Sequence, residues 1–275
     1  GNPSSNSLEA APLCQRAGVP MMAISSTNPK VTTIGDYIFR VCFIDPFQGE
    51  VLAKFSRQSL KAQRLALLTP TTPYGVGLAN EMRKKFEALG GEVVAEQKYA
   101  EGDKDFKAQL TALKPLKPDV IAVPGYYTEA ALICRQAREL GVTSTFLGGD
   151  GWEAPQLMEL GGKAVEDTYY STGFSADNSS PKVQDFVRRF RERWDNETPD
   201  STAALGYDAM MLYADAIRRA GTTDGPAFRD AIAATKDFPG VTGRITIDRE
   251  RNATKSAVMM RVKAGRTEFV ENVDP

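Results

Sequence analysis

The sequence predicts an α/β protein of two lobes, each built on a parallel sheet flanked by helices. Short apolar strand patterns alternate with amphipathic helix patterns through the middle of the chain. Those strands are apolar throughout rather than in alternation, which marks burial on both faces. The segments before and after this central run carry the same two patterns and read as parts of a second such domain.

The elements follow in order. A helix over about residues 8–17 leads into a strand at 20–24, and another strand follows at 37–43. Arg64-Leu65-Ala66-Leu67-Leu68-Thr69 is a short apolar strand. Leu78, Met82, Phe86 and Leu89 recur at helical spacing over residues 77–89, and Gly90-Gly91 ends that helix. Val93-Val94-Ala95 opens the next strand, and Phe106, Leu110 and Leu113 mark a second helix. A buried strand at 119–123 closes at Pro124-Gly125. Leu132, Ile133, Ala137 and Leu140 give a third helix stopped by Gly141, and Thr145-Phe146-Leu147 is a strand closed by Gly148-Gly149. After Thr172 come helices at 183–194, 203–220 and 227–235, then a strand pair at 244–248 and 256–262 and a last strand near 267–270.

Composition removes several classes of function. The 275 residues suffice for one large or two medium domains. Lys and Arg number 34 and Asp and Glu 35, so no basic field exists to gather nucleic acid or anionic lipid. No apolar run approaches the roughly 20 residues that span a bilayer. The opening Gly1-Asn2-Pro3-Ser4-Ser5 shows no charged and apolar signal peptide, which a mature exported chain would also lack. Histidine is absent, which removes the usual general base, the commonest nitrogen ligand for zinc and every Ser-His or Cys-His dyad. Cys14, Cys42 and Cys134 stand in apolar company with no C-x-x-C spacing, and read as small buried hydrophobes.

Ligands of open α/β sheets bind beyond the carboxyl ends of the strands, so the segments there hold the candidates. Ser25-Ser26-Thr27-Asn28-Pro29 follows the first strand and suits either a plain turn or an oxyanion. Pro70-Thr71-Thr72-Pro73-Tyr74-Gly75-Val76-Gly77 contains a G-x-G, but Asn80 stands where a dinucleotide loop needs its third glycine, which argues against a nucleotide site. Tyr74 there could present its ring and hydroxyl to a cleft. Tyr126 and Tyr127 follow the 119–123 strand as packing or ligand contacts. Asp150-Gly151-Trp152 follows the 145–147 strand, with Asp150 either a helix cap or a counter-ion for an ammonium group. Together these place anion donors on one lobe and a carboxylate with aromatics on the other, the complement of a zwitterion.

Ser25-Ser26-Thr27-Asn28-Pro29, Phe39-Arg40 with Gln48-Gly49, Tyr74-Gly75, Gly148-Gly149-Asp150-Gly151-Trp152, Ala204-Leu205-Gly206-Tyr207-Asp208-Ala209 and Gly240-Val241-Thr242-Gly243 occur in an order that resembles the type I periplasmic solute-binding proteins. Among these the chain is most similar to the leucine/isoleucine/valine-binding group of ABC transporters, over essentially its whole length. The resemblance implies two lobes joined by three crossovers. Residues 1–44 and 174–248 fall to an incomplete first lobe, and 45–173 and 255–275 to the second. It implies a ligand carboxylate held by Ser4, Ser25, Ser26 and Thr27, an ammonium held by Asp150, and Tyr74 and Tyr126 closing over the ligand. Trp152 and Phe47 are added as further contacts. Asp150 is one methylene shorter than the Glu of some members, which moves the ammonium or admits another substrate. No catalytic residue, metal or cofactor is implied.

The expected function is capture of a branched-chain or similar apolar amino acid outside the cytoplasm, periplasmic or extracellular, by hinge closure and delivery to an ABC permease. An amino-acid- or amide-sensing receptor domain of the same fold is the alternative, disfavoured because no membrane helix follows residues 271–275. A nucleotide-dependent enzyme is a more distant one. Relatives begin with a strand–helix–strand–helix–strand segment that has no counterpart before Ser4. The resemblance therefore implies that this segment is supplied separately, or that the chain self-associates.

Overall fold

The computed structural model describes residues 3–273. The readings that involve Gly1, Asn2, Asp274 and Pro275 lie outside the described residues. In chain order the elements are α1 (Ser4–Ala17), β1 (Met21–Ala23), β2 (Ile38–Arg40), α2 (Asp45–Lys54), β3 (Arg64–Pro70), α3 (Pro73–Ala88), β4 (Glu92–Tyr99), α4 (Lys107–Leu113), β5 (Val120–Val123), α5 (Tyr127–Glu139), β6 (Thr145–Gly148), α6 (Pro155–Gly161) and β7 (Tyr169–Thr172). They continue with α7 (Pro181–Arg193), α8 (Ser201–Ala220), α9 (Gly225–Ala233), β8 (Phe238–Gly240), β9 (Gly243–Ile247), β10 (Ala253–Thr254), β11 (Ala257–Lys263) and β12 (Arg266–Val273). The described chain forms two compact units, one from residues up to Ile44 with Gly173–Ala257, the other from Asp45–Thr172 with Val258–Val273.

The second unit is a seven-stranded sheet in the order β12-β11-β7-β6-β5-β3-β4. β3 to β7 run parallel, and β11 joins β7 antiparallel. Parallel strands need long crossovers, and α3, α4, α5 and α6 supply them. Leu68, Ile121, Val123 and Phe146 of the strands pack with Phe106, Leu110, Ile133 and Ala137 of the helical layer in one core. Cys134 belongs to it, and burial pushes its thiol up to about 12, so it is inert apolar filling.

α2 is absent from the sequence expectation. Asp45-Pro46-Phe47-Gln48-Gly49-Glu50 has no clean apolar stripe, and polar Asp45 and Gln48 are buried there with Val51 and Leu52. Gly49 explains the packing. A Cβ at that position would lie 2.7 Å from Glu81 Cβ and 2.8 Å from the Met82 nitrogen, so only glycine lets the α2 backbone reach α3.

The first unit has two small sheets. β1 and β2 pair in parallel over three residues, and β10-β9-β8 is antiparallel. α8 runs through one core, with Leu205, Ala209, Leu212 and Ala216 packing with Phe39, Val41, Ile232 and Ile245. Its buried Asp208 accepts hydrogen bonds from the Val241 N–H at 2.7 Å, the Thr242 N–H at 2.8 Å and the Thr242 hydroxyl at 2.6 Å. This ties the β8–β9 turn to the helix. Lys255 is buried behind it, donates to the Thr242 hydroxyl, and has its pKa lowered to about 8 by desolvation against the pull of Asp208.

Three expectations need correction. α1 begins at Ser4, directly after Pro3, so Ser4 lies in a helix rather than a loop. α3 begins at Pro73 rather than residue 77, because Thr72 caps it through the Gly75 N–H and Pro73 has the φ the first turn needs. The strands at 244–248 and 256–262 do not pair: β9 pairs with β8 and β10, and β11 with β7 and β12.

Candidate functional site

The carboxyl ends of β3, β5 and β6 lie side by side, since these strands are adjacent and parallel. Each ends in a segment that carries a candidate. Beyond β3, the Thr72 cap and Pro73 fix the first turn of α3 and so fix Tyr74. Gly75 has no room for a side chain, because a Cβ would meet Pro70 Cγ at 2.3 Å and the Pro124 carbonyl oxygen at 2.8 Å. α3 is thus seated directly against the ends of β3 and β5. Beyond β5, Tyr126 stands at the entrance to α5, and its ring stacks on that of Tyr74 with centroids 5.3 Å apart. Beyond β6, Asp150 opens a short turn over Asp150–Trp152.

Asp150 is the chemical centre of this unit. Its Oδ1 accepts from the Tyr74 hydroxyl at 2.9 Å and from Gln48 Nε2 at 2.9 Å. Desolvation raises its pKa above the usual carboxylate value, and the hydrogen bonds from Gln48 and Tyr74 only partly offset this. No cation among the described residues pairs with it. Burial, the Asp150 charge and their hydrogen bond also raise the Tyr74 pKa, and burial followed by the Asp150 charge raises that of Tyr126. Both phenols therefore stay neutral donors. A desolvated carboxylate held by neutral donors and lacking its own cation is suited to receive one.

The first unit carries the opposite chemistry. Ser25 to Pro29 turn out of β1 above the end of β2. Arg40, the last residue of β2, is fully buried, and its guanidinium donates to the Ser26 carbonyl at 2.6 Å and the Asn28 carbonyl at 2.8 Å. The first turns of α1 hold the other side. Ser7 and Ser26 share a hydroxyl hydrogen bond of 2.7 Å, and the Asn28 N–H donates to the Ser4 hydroxyl at 3.3 Å. The loop is thus rigid, with carbonyls engaged by a cation from below. Thr27 is fully buried, and its hydroxyl has no hydrogen-bond partner. An unpartnered hydroxyl on a loop held in this way suits a carboxylate oxygen.

The structure groups Ser4, Ser26 and Thr27 with Ser25 in one unit, and Tyr74, Tyr126 and Asp150 in the other. Phe47 is half-buried on α2, one position before Gln48. Trp152 is placed elsewhere than expected. It is completely buried in the core, with its indole N–H donated to the Val123 carbonyl at 2.9 Å, so it is a floor beneath the Asp150 turn and not a contact surface. Three residues with clear parts in these arrangements lie outside the expected set: Gln48, Arg40 and Ser7. The signal available for the first two was their place in the motifs Phe39-Arg40 and Gln48-Gly49, to which no role was attached.

A parallel sheet with polar candidates at its strand ends is one unit of a two-unit chain. The chain belongs to the periplasmic binding protein family, whose model matches residues 1–267. It is 32% identical over 244 residues to Leu/Ile/Val-binding protein homolog 2 of Brucella abortus, covering 88% of this chain and 65% of that protein. It is 30% identical over 247 residues to the leucine-, isoleucine-, valine-, threonine- and alanine-binding protein of Pseudomonas aeruginosa, covering 89% and 65%. The chain thus spans just under two thirds of the length of these relatives. Among solved structures, the leucine-binding protein LivK of Thermotoga maritima matches with a TM-score of 0.94 and 41% identity, over 100% of this chain and 79% of that one. LivJ of Streptococcus pneumoniae, solved with isoleucine, matches with a TM-score of 0.92 and 34% identity, over 100% and 78%.

Proposed function

We propose that the chain captures an apolar α-amino acid, of the branched-chain type, for an ABC permease outside the cytoplasm. Binding, not catalysis, is its task. The observation that carries this reading is Asp150: a desolvated carboxylate, fixed by Tyr74 and Gln48, with no cation of its own. The ligand ammonium is that cation. The Ser25–Thr27 loop offers the chemistry that a ligand carboxylate needs, and Tyr74 and Tyr126 offer aromatic surface to an ammonium and side chain. The substrate names of the similar proteins support the same class. A ligand favours whichever form offers it more contacts, and a closed form selected in this way is the signal a permease reads.

Titration calorimetry against leucine, isoleucine, valine, alanine, phenylalanine and γ-aminobutyrate tests the proposal. Leucine, isoleucine or valine is expected to bind most tightly, and binding only to sugars or nucleotides would reject it. In a thermal screen, ligand at 100 times its dissociation constant adds about 2.7 kcal/mol of stability. We also propose that the β1–β2 sheet, only two strands wide, gains a further strand from a separate segment or a second copy. Light scattering with and without added segment checks this; a monomer that binds tightly alone would show that no such strand is needed.

A further inference from the structure

Gln48 is a completely buried amide whose two ends are used unequally. Its Nε2 donates to Asp150 Oδ1 at 2.9 Å and to the Ser171 hydroxyl at 3.0 Å, so both amide protons are spent. Its Oε1 is buried with no hydrogen-bond partner. The orientation is fixed by chemistry. Turned over, the amide would set its oxygen against an ionised carboxylate. An acceptor left empty in this way costs free energy unless something fills it. It sits two bonds from the nitrogen that holds Asp150.

We propose that Gln48 is a positioning and specificity-determining residue of the amino-acid site. Its Nε2 aims the Asp150 carboxylate, and its Oε1 accepts a second N–H of the ligand's primary ammonium. This rests on the reading of Asp150 as the ammonium partner. The sequence places α2 where it can do both: Gly49, the next residue, lets α2 sit against α3, and the Ser171 hydroxyl on β7 supports the amide from the other side. The ammonium then meets one charged acceptor and one neutral one. A primary ammonium can fill both; a ligand without an amine leaves both empty.

The titratable groups around Asp150 are Tyr74 and Tyr126, which also feel the charges of Asp45, Glu101 and Glu129. Of these, only carboxylates change charge below pH 8. The experiment is calorimetric titration of leucine into the whole chain and into Gln48→Met, from pH 4.5 to 8. Gln48→Met is expected to bind leucine about 10- to 100-fold more weakly at pH 7. Without the Gln48 hydrogen bond, Asp150 takes up a proton more readily, so affinity should begin to fall at a higher pH than in the wild type. Unchanged affinity, or a weakening of the same factor at every pH, would overturn the inference, since a merely structural residue does not move the pH profile. If Gln48→Met fails to fold, Gln48→Glu serves: it keeps the shape but sets a second carboxylate against Asp150, and the same upward shift is expected. An unmoved profile there also overturns it. A wild type that binds no amino acid at any pH is a different result, because it rejects the proposed function itself.

Discussion

At the scale of single residues, the two units differ in how they hold charge. Asp150 is an acid whose folded pKa is raised, so in the ligand-free protein it binds protons that the unfolded chain has already released. Stability then falls as pH rises through the carboxylate range, and the cost is present at neutral pH. Asp150→Asn should therefore leave the ligand-free protein as stable or more stable at pH 7, while leucine affinity drops by about 2–5 kcal/mol. Thermal melts and calorimetry on the same variant check both halves, and wild-type affinity with unchanged folding would show that Asp150 is not the ammonium partner. Lys255 is the reverse case. Its folded pKa, about 8, lies below its ordinary 10.5, so the folded state releases its proton first and stability rises with pH between these values. Denaturant titrations at pH 7.5 and 10.5 should show a smaller gain for Lys255→Met than for the wild type. The sequence made Asp150 and Tyr74 legible as candidates because each directly follows a strand. It marked Gln48 and Arg40 only as motif residues and could not show the contact of Gln48 with Asp150, which spans 102 positions, nor that Arg40 engages carbonyls. Pattern marks where a side chain emerges, whereas a hydrogen bond across the fold leaves no periodicity.

At the scale of elements, the start of α3 is the sensitive point. Gly75→Ala must displace either Pro70 or the Pro124 carbonyl, and Tyr74 moves with the helix turn. We expect a loss of about 1–3 kcal/mol in stability, read by urea titration, together with weaker leucine binding. Gly206→Ala on α8, where a Cβ meets nothing within 4 Å, is the control and should be neutral or stabilising. The β1–β2 pair offers a second test. Two three-residue strands in parallel form a marginal sheet, whereas β3 and β5 have a hydrogen-bonded neighbour on either side. Amide exchange should be faster in Met22 and Phe39 than in Leu67 and Ile121; equal protection would show that helix packing alone secures the smaller sheet. The central strands and α3, α5, α7 and α8 were legible to within a few residues because their apolar positions repeat cleanly. α2 was not, since its buried face includes Asp45, Gln48 and Gly49. Strand pairing near the end was misread because neighbours in sequence were taken for neighbours in the sheet, and only the three-dimensional partition of β9 and β11 settles it.

At the scale of the whole molecule, the chain passes between its two units after Ile44, Thr172 and Ala257. The crossovers were implied by the order of motifs, but their positions depend on which residues pack together. The interleaving carries a consequence for synthesis. Residues 45–172 contain five of the seven strands of the larger sheet, in parallel and in near succession, so this body can begin to form as soon as it leaves the ribosome. The opening segment cannot do the same. Phe39 and Val41 find their core partners on α8, α9 and β9, which are translated only after the intervening body. During that interval the nascent chain carries apolar side chains without their partners, and this is the stretch where a chaperone would hold it and where premature association would begin. The larger sheet in its turn waits for β11 and β12, which come last, and slow translation through residues 173–254 would lengthen the interval in which both units stand incomplete.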